Sequence, residues 1–250
     1  MPSLEEFYES IEAKANNLAV GGGNAFAVGN AHTHVLSEIM NFTNVKKIMD
    51  FGCGIGRTMP ILYEHLGKSD LVLDGCDISN EFIGQCRALY TNYPFRFFKI
   101  LSENSRYARY VTSTEDEGIP ESFYDAAYSF SVFTHLTVKL ARETLVRVAK
   151  CLKSGGQYYF TMFRIDQDSA AVINSGGENS QFKFSAKVAP SDTEYFALAS
   201  DPLAFAAIAR PQMETAIDDA GFFLVRFVPG AWRGIPQAPN MQDGCLVRKN

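Results

Sequence analysis

Apolar and polar positions follow two alternating patterns between residues 46 and 163. Short apolar runs predict buried strands, and the longer stretches between them carry apolar residues at helical spacing. Strands that alternate with helices predict a parallel sheet covered by helices on both faces. The predicted strands are 46–51, 71–77, 95–101, 125–129 and 157–163, and the predicted helices are 57–66, 81–90 and 138–152, the last stopping at Gly155-Gly156.

The pattern differs on either side of this core. Residues 164–210 fit no regular strand–helix unit, so we expect an insertion over the ligand-binding edge of the sheet. Glycines at 21–23 and Gly29 are expected to give the N-terminal segment hinge-like freedom. The elements predicted outside the core are helices at 1–20, 31–41 and 211–220, ended by Gly221, and strands at 222–228 and 245–248.

The most informative motif is a glycine-rich turn between the first predicted strand and its helix. Residues 50–57 read DFGCGIGR, so that three glycines alternate behind an acidic residue. Glycine permits a tight turn and lets a ligand approach the backbone closely. The N-terminus of the following helix offers N–H groups to a carboxylate.

An acidic partner stands at the end of the second predicted strand. Asp77, in the segment GCDIS at 75–79, can accept hydrogen bonds from both hydroxyls of an adenosine ribose. The alternative is that Asp77 only caps the next helix, but Ser79 already supplies a good cap.

The spacing of the glycines separates two classes of nucleotide cofactor. A dinucleotide fingerprint needs G-x-G-x-x-G/A, and its last position would fall on Arg57 or Met59. Either bulky side chain would obstruct close packing of helix on strand. The chain instead has D-x-G-x-G-x-G, which disfavours a nicotinamide-dependent oxidoreductase.

This pattern resembles motif I of the class I S-adenosylmethionine-dependent methyltransferases. Segments with similar counterparts in that family are GCDIS at 75–79, DAAYS and FSVFTHL at 125–136, LKSGG at 152–156 with Ser154 in place of proline, AGF at 220–222, and Gln242-Asp243. The resemblance implies an α/β fold: a three-layer, Rossmann-like sheet of about seven strands with an antiparallel last strand. It also implies S-adenosylmethionine as cofactor and S-adenosylhomocysteine as product.

The resemblance also implies a domain plan and a cofactor site. Residues 1–44 are expected to form an N-terminal helical cap on a methyltransferase domain at 45–250, in which 164–210 is an inserted lid or substrate-binding segment. The predicted cofactor-binding residues are Asp50, Gly52, Cys53, Gly54, Gly56, Arg57, Asp77, Ile78, Ser102, Glu103, Asn104, Ser129, Phe130 and Ser131.

His135 is the predicted catalytic residue, because it lies just past the fourth strand, where acceptor and methyl group should meet. It could serve as a general base for an acceptor that must lose a proton. The alternative is a histidine that packs or caps the following helix. His32 and His34 lie on an N-terminal helix that could close over the cofactor, but exposed or packed helix residues are the favoured interpretation. Asp166 and Asp168 could face the acceptor, but solvated loop charges are favoured. No clustered acidic pattern suggests a metal site.

Charge, motifs and cysteine content limit the class of methyl acceptor and the expected cellular location. The net charge of -5 disfavours a nucleic-acid substrate. SFSV at 129–132 also differs from the [DNS]PP[YF] motif usual in nucleobase methylases. We find no signal peptide or membrane-spanning run, and the five cysteines form no CxxC pair, so we expect a cytoplasmic protein. The predicted function is methyl transfer to an oxygen or nitrogen of a small, hydroxylated or sugar-like acceptor; the alternative is a cofactor-binding sensor or scaffold without turnover.

Overall fold

The computed structural model describes residues 8–9, 24–103, 116–174, 184, 193–198 and 200–250. The predicted helix at 1–20, apart from two residues, lies outside this part, as do the glycines at 21–23, Asn104 and much of the predicted insertion. In the described part, no helix is long and apolar enough to cross a membrane.

Helices and strands alternate along the core as the sequence predicts. The α-helices are α1 Ala25–Ile39, α2 Met59–Leu66, α3 Asn80–Leu89, α4 Val138–Cys151, α5 Gln167–Asn174 and α6 Arg210–Asp219. The strands are β1 Lys47–Phe51, β2 Val72–Asp77, β3 Arg96–Lys99, β4 Tyr124–Ser129, β5 Leu152–Met162, β6 Arg164–Ile165, β7 Glu194–Phe196, β8 Ala206–Ala209, β9 Phe222–Val228 and β10 Asp243–Lys249. Short 3-10 helices cover Phe133–His135 and Ala231–Arg233.

Seven strands form one sheet in the order β3-β2-β1-β4-β5-β10-β9. Strand β2 runs parallel to β1 and to β3, and β4 runs parallel to β5. Strand β10 is antiparallel to both of its neighbours. The predicted α/β sheet of about seven strands with an antiparallel last strand is therefore confirmed.

The chain divides into two compact units. The first comprises residues 1–101 and 109–119, and the second comprises 102–108 and 120–250. In the first unit, α1 begins at Asn24, whose side chain accepts a hydrogen bond from Ala27 N at 2.7 Å. This cap lies seven residues before the predicted start at Ala31, because Gly29 and Asn30 within α1 have low helix propensity, which favours a later start.

The predicted helix stop at Gly155-Gly156 is wrong. Helix α4 ends at Cys151, and Leu152 already pairs with Tyr124 as the first residue of β5. Lys249 Nζ donates to the carbonyls of Ala149 and Leu152 at 2.6 and 2.7 Å, which satisfies groups that a helix end leaves exposed. The left-handed Gly155, at φ 76°, therefore sits within β5 and not at a helix end.

The described part of residues 164–210 has regular structure of its own. Strands β6 and β7 flank β8 in a separate three-stranded sheet. Aromatic side chains from the insertion pack with others of the second unit, which fits an accessory core. The buried members of this cluster are Phe163, Ile165, Phe184, Ala207 and Trp232, with Tyr195 and Phe205 against them.

Candidate active site

The glycine loop after β1 has a backbone that only glycine adopts easily. Gly52, Gly54 and Gly56 have φ values of 81°, 55° and 71°. A side chain in this left-handed region is strained, so alternate glycines are required by the path of the chain. Gly52 and Gly54 are partly exposed and Gly56 is buried. The first two glycines are therefore accessible from outside, and the third is packed within the protein.

The loop is held by polar groups of β2 and α3. Gly52 N and Cys53 N both donate to Cys76 O, at 2.8 and 2.9 Å. On the other side, Tyr90 Oη donates to Ile55 O at 2.7 Å. A Cβ on Gly56 would lie 2.9 Å from Tyr90 Cε2, so the same tyrosine explains the third glycine.

Asp77, at the end of β2, links the loop to the next helix. Its Oδ2 accepts from Gly54 N at 2.9 Å, and its Oδ1 accepts from Ser79 N at 2.8 Å. Burial raises the pKa of Asp77, although hydrogen bonds from Ser79, Gly54 and Ile78 and the charge of Lys99 act against that rise. Ser79 caps α3 by accepting from Phe82 N, so Asp77 is not needed for that purpose.

Arg57 is the last residue of the loop, and its carbonyl oxygen contacts residues near the start of the chain. The Tyr8 hydroxyl donates a hydrogen bond to Arg57 O. A Cβ on Gly29 would lie 2.5 Å from that same carbonyl oxygen. The expected hinge role of Gly29 is therefore wrong: this glycine lies inside α1 and permits close packing on the loop. Burial lowers the pKa of Arg57, and the nearby Asp50 carboxylate opposes that change.

Three histidines of the first unit have structural partners. His32 Nδ1 lies 2.9 Å from Thr58 Oγ1, and burial, assisted by the charge of Arg57, lowers the pKa of His32 to about 3. His34 is exposed and pairs with Glu38 at 3.2 Å. His65 Nε2 lies 3.0 Å from Ser37 Oγ. These contacts fit the interpretation of His32 as packed and His34 as exposed.

The cysteines are all buried free thiols. Cys53 and Cys86 both direct their sulfur atoms at Gly54 O, at 3.6 and 3.3 Å. A hydrogen bond with Cys86 and burial raise the pKa of the Cys53 thiol. The loop cysteine thus packs beneath the backbone as a neutral group. The other three are Cys76, Cys151 and Cys245.

The predicted cofactor residues of the second unit lie in two segments. Ser102 and Glu103 are exposed, and Glu103 pairs with Lys139 at 2.8 Å. The buried Ser129 hydroxyl is 2.7 Å from Tyr158 Oη, so its side chain has a partner within the protein. Phe130 is half-buried against Tyr159, with ring centroids 5.7 Å apart.

Ser131 closes a ring of hydrogen bonds beyond β4. Its backbone is left-handed, at φ 59°. Ser131 N donates to Thr161 Oγ1 at 2.8 Å, and Thr161 Oγ1 donates to Gln242 Oε1 at 2.6 Å. Gln242 Nε2 donates to Ser131 Oγ at 2.8 Å. No sequence motif signals this ring: Thr161 belongs to no predicted site, and Gln242 is noted above only for its resemblance.

His135 lies on the 3-10 turn that follows. Its Nδ1 is 2.9 Å from Leu203 O, and its ring centroid is 5.9 Å from that of Phe205. A carbonyl oxygen can only accept, so Nδ1 carries the proton of this bond. In the neutral imidazole, Nε2 is then the unprotonated nitrogen, as a general base requires.

Asp166 is not a solvated loop charge, and that prediction is wrong. Its carboxylate accepts from Arg233 Nη1 and Arg164 Nη2, both at 2.8 Å. Burial opposes ionisation, but hydrogen bonds from Arg233, Ser169 and Arg164 outweigh it and lower the pKa of Asp166. Arg233 also donates to the buried Asp243 at 2.6 Å. Asp168 is exposed, as expected.

Comparison with known proteins agrees with this geometry. The methyltransferase domain family matches residues 49–158, the segment from the end of β1 into β5. This match covers a little less than half of the chain, and the seven-stranded fold around it agrees with the predicted resemblance to the class I S-adenosylmethionine-dependent methyltransferases. The predicted family and the cofactor S-adenosylmethionine are therefore confirmed.

Solved structures support the fold at low sequence identity. Magnesium protoporphyrin IX methyltransferase from Synechocystis PCC 6803, with bound S-adenosylhomocysteine, is 12% identical with a TM-score of 0.54, over 98% of this chain and 97% of that one. A methyltransferase from Mesorhizobium loti is 15% identical with a TM-score of 0.57, over 88% and 98%. An O-methyltransferase family protein from Burkholderia thailandensis is 13% identical with a TM-score of 0.59, over 91% of this chain but 57% of that protein, so the chain spans little more than half its length.

Proposed function

We propose that this chain transfers the methyl group of S-adenosylmethionine to an oxygen or nitrogen atom of a small molecule. The observation that carries the cofactor half is the left-handed glycine loop tied to the Asp77 carboxylate. Two partly exposed glycines allow a ligand to approach the backbone. A buried carboxylate lies at the end of the next strand, where the hydroxyls of a ribose could donate hydrogen bonds to it. The bound cofactor supplies an electrophilic methyl group.

The chain's own residues then have to hold the acceptor and receive a proton. Positioning of two reactants alone can lower a barrier by about 7–11 kcal/mol. His135 is the proposed base, because its hydrogen bond to Leu203 O leaves Nε2 as the basic nitrogen. The net charge of -5 favours a small molecule over a nucleic acid as acceptor. The likeness to an O-methyltransferase family protein supports an oxygen acceptor.

Several further assignments belong to this proposal. Contacts of Ser102, Glu103 and Asn104 with the adenine, and of residues 129–131 with the cofactor, remain predictions. So do the helical cap at 1–44, the lid role of 164–210 and a cytoplasmic location.

A turnover assay tests the function directly. The full chain is incubated with S-adenosylmethionine and a panel of small hydroxylated and amino compounds, and S-adenosylhomocysteine is quantified. We expect formation that depends on the acceptor. His135→Asn, whose amide can replace Nδ1–H toward Leu203 but has no base, should lower the rate about 10²–10⁴-fold with unchanged S-adenosylhomocysteine affinity. Tight binding of S-adenosylhomocysteine without turnover on any compound would instead indicate a sensor or scaffold.

A further inference from the structure

The hydrogen-bond ring at Ser131 has directions that can be assigned atom by atom. The Ser131 N–H group only donates, so Thr161 Oγ1 accepts that bond. Thr161 is fully buried, and its hydroxyl proton therefore needs an acceptor within the protein. Gln242 Oε1, at 2.6 Å, is that acceptor. The amide nitrogen of Gln242 must then face Ser131 Oγ and donate to it.

The reverse orientation of the Gln242 amide fails for the same reason. Its Nε2 would donate to Thr161 Oγ1, which already accepts from Ser131 N. The buried Thr161 proton would then have no acceptor, and an unsatisfied buried donor is strongly disfavoured.

The assigned directions leave the Ser131 hydroxyl proton outside the ring. Oγ accepts from Gln242, and within the described ranges no acceptor for its own proton is found. Ser131 is half-buried, whereas Thr161 is buried, so the proton is directed where a ligand can reach. The left-handed backbone at φ 59° is strained for serine, and such strain clusters at functional sites.

We propose that the Ser131 hydroxyl is a subsite for the methyl acceptor, where it donates a hydrogen bond to an uncharged oxygen next to the atom that is methylated. All three ring side chains are neutral, whereas a carboxylate or phosphate calls for arginine or lysine. His135 belongs to the 3-10 turn that starts two residues later, so the donor and the proposed base share one short segment. The inference rests on the proposed function and narrows its acceptor to compounds with two neighbouring oxygens.

Gln242 is a positioning residue for this hydroxyl, and the structure fixes it firmly. A Cβ on Gly230 would lie 2.3 Å from the carbonyl carbon of Gln242, so the two backbones pack in direct contact. The next residue, Asp243, accepts from Gly230 N and Arg164 N, each at 2.9 Å. The start of β10 is therefore anchored, and Gln242 presents its amide to Ser131 from a rigid base.

Catechol and phenol are the matched probes, because they differ by one neighbouring oxygen. We expect wild-type kcat/KM for methylation of catechol to exceed that of phenol by about tenfold, the scale of one well-placed hydrogen bond. Ser131→Gly removes the hydroxyl and suits the left-handed backbone, so it should fold. Gln242→Glu keeps Ser131 but offers it a carboxylate, which turns the hydroxyl proton inward.

Both variants should lower the ratio of kcat/KM for catechol to kcat/KM for phenol from about ten to about one, because they remove the one bond that distinguishes the two probes. The double variant should be no worse than either single one, because both remove the same bond. Affinity for S-adenosylhomocysteine is measured by calorimetry on the same variants, so that a loss of cofactor binding is separated from a loss of the catechol preference. Ser154→Ala, which removes a serine hydroxyl at the opposite end of β5, is the control and should keep the catechol preference.

Three results would overturn the subsite. The preference could persist in Ser131→Gly, the variants could lose affinity for S-adenosylhomocysteine by the same factor as for catechol, or the wild type could show no preference or methylate neither probe. In the last case, product formed from other compounds of the panel would leave the proposed function standing and refute this inference alone. Absence of turnover on every compound would refute both.

Discussion

The glycine loop after β1 and the turn at Ser131 both place left-handed backbone just beyond a strand, but they hold it by different means. In the loop, the residues at φ 81°, 55° and 71° are glycines, and main-chain groups make most of the bonds. At φ 59°, Ser131 keeps a side chain and is held by two other side chains. A loop that binds a ligand through its backbone requires glycine, which has no Cβ. A turn that binds a ligand through a serine hydroxyl must keep the side chain and tolerate the strain of the left-handed backbone.

This difference explains what the sequence could and could not predict. Glycines at alternate positions are a local pattern, so the sequence alone predicts the loop and its acidic partner Asp77. The ring joins residues 30, 81 and 111 positions apart, and only the fold brings them together. The helix stop at Gly155 was misread for a related reason: a glycine with φ 76° can end a helix or bend a strand, and pairing with β4 decides between them.

A bulky side chain in the glycine loop should have the strongest effect on cofactor binding. Gly54→Val places a branched side chain at φ 55°, where the loop must stay open, and should abolish calorimetrically detectable binding of S-adenosylhomocysteine. Gly118→Val is the matched control, because Gly118 has φ 68° but no atom within 4 Å of an added Cβ. Normal binding by the Gly54 variant would mean that the cofactor lies elsewhere.

Asp77 provides the side-chain contact predicted for the ribose of the cofactor. Asp77→Ala removes a charged acceptor whose hydrogen bonds contribute about 1.5–3 kcal/mol each, so affinity for S-adenosylhomocysteine should fall at least about tenfold. Asp70→Ala changes an exposed acid before the same strand and should leave affinity unchanged. If a folded Asp77 variant retains wild-type affinity in a titration, the ribose assignment is wrong.

Packing of α1 on the loop is tested by two helical glycines. Gly29→Ala forces a Cβ to within 2.5 Å of Arg57 O and should destabilise the protein by about 1–3 kcal/mol. Gly84→Ala, in α3 with open space around it, should stabilise it by about 0.5–1 kcal/mol. Urea unfolding measures both, and a Gly29 variant as stable as wild type would contradict the close packing.

The buried His32 on α1 should make the stability of the protein depend on pH. Its pKa of about 3 lies below the ordinary value of about 6.5, so the unfolded chain binds the extra proton first as the pH falls. Its contribution to stability is therefore present above about pH 6.5 and lost towards pH 3, by at most about 1.4 kcal/mol per pH unit. His32→Gln should flatten the pH profile of urea unfolding. His34→Gln, at an exposed site, should leave the profile as it is; equal profiles for wild type and His32→Gln would refute the burial effect.

A small difference in stability is expected between two variants of Ser131. Ser131→Ala and Ser131→Gly both lose the hydroxyl, and they differ only by a Cβ at φ 59°. The glycine variant should be more stable by about 1 kcal/mol, because left-handed backbone disfavours a side chain. Thermal unfolding of the two variants checks this, and equal stability would mean that the turn is not strained.

All five cysteines are buried, so the rate at which they react with a thiol reagent can report local opening of the structure. A thiol reagent can alkylate a buried cysteine only when the surrounding structure opens, so the labelling rate measures local unfolding. Cys53, Cys76 and Cys86 belong to the first unit, and Cys151 and Cys245 to the second. Mass spectrometry of the labelled peptides would therefore time the opening of each unit separately in the unmodified protein. A cysteine added at an exposed position such as Ser154 would react first and carry a fluorophore without removal of native thiols.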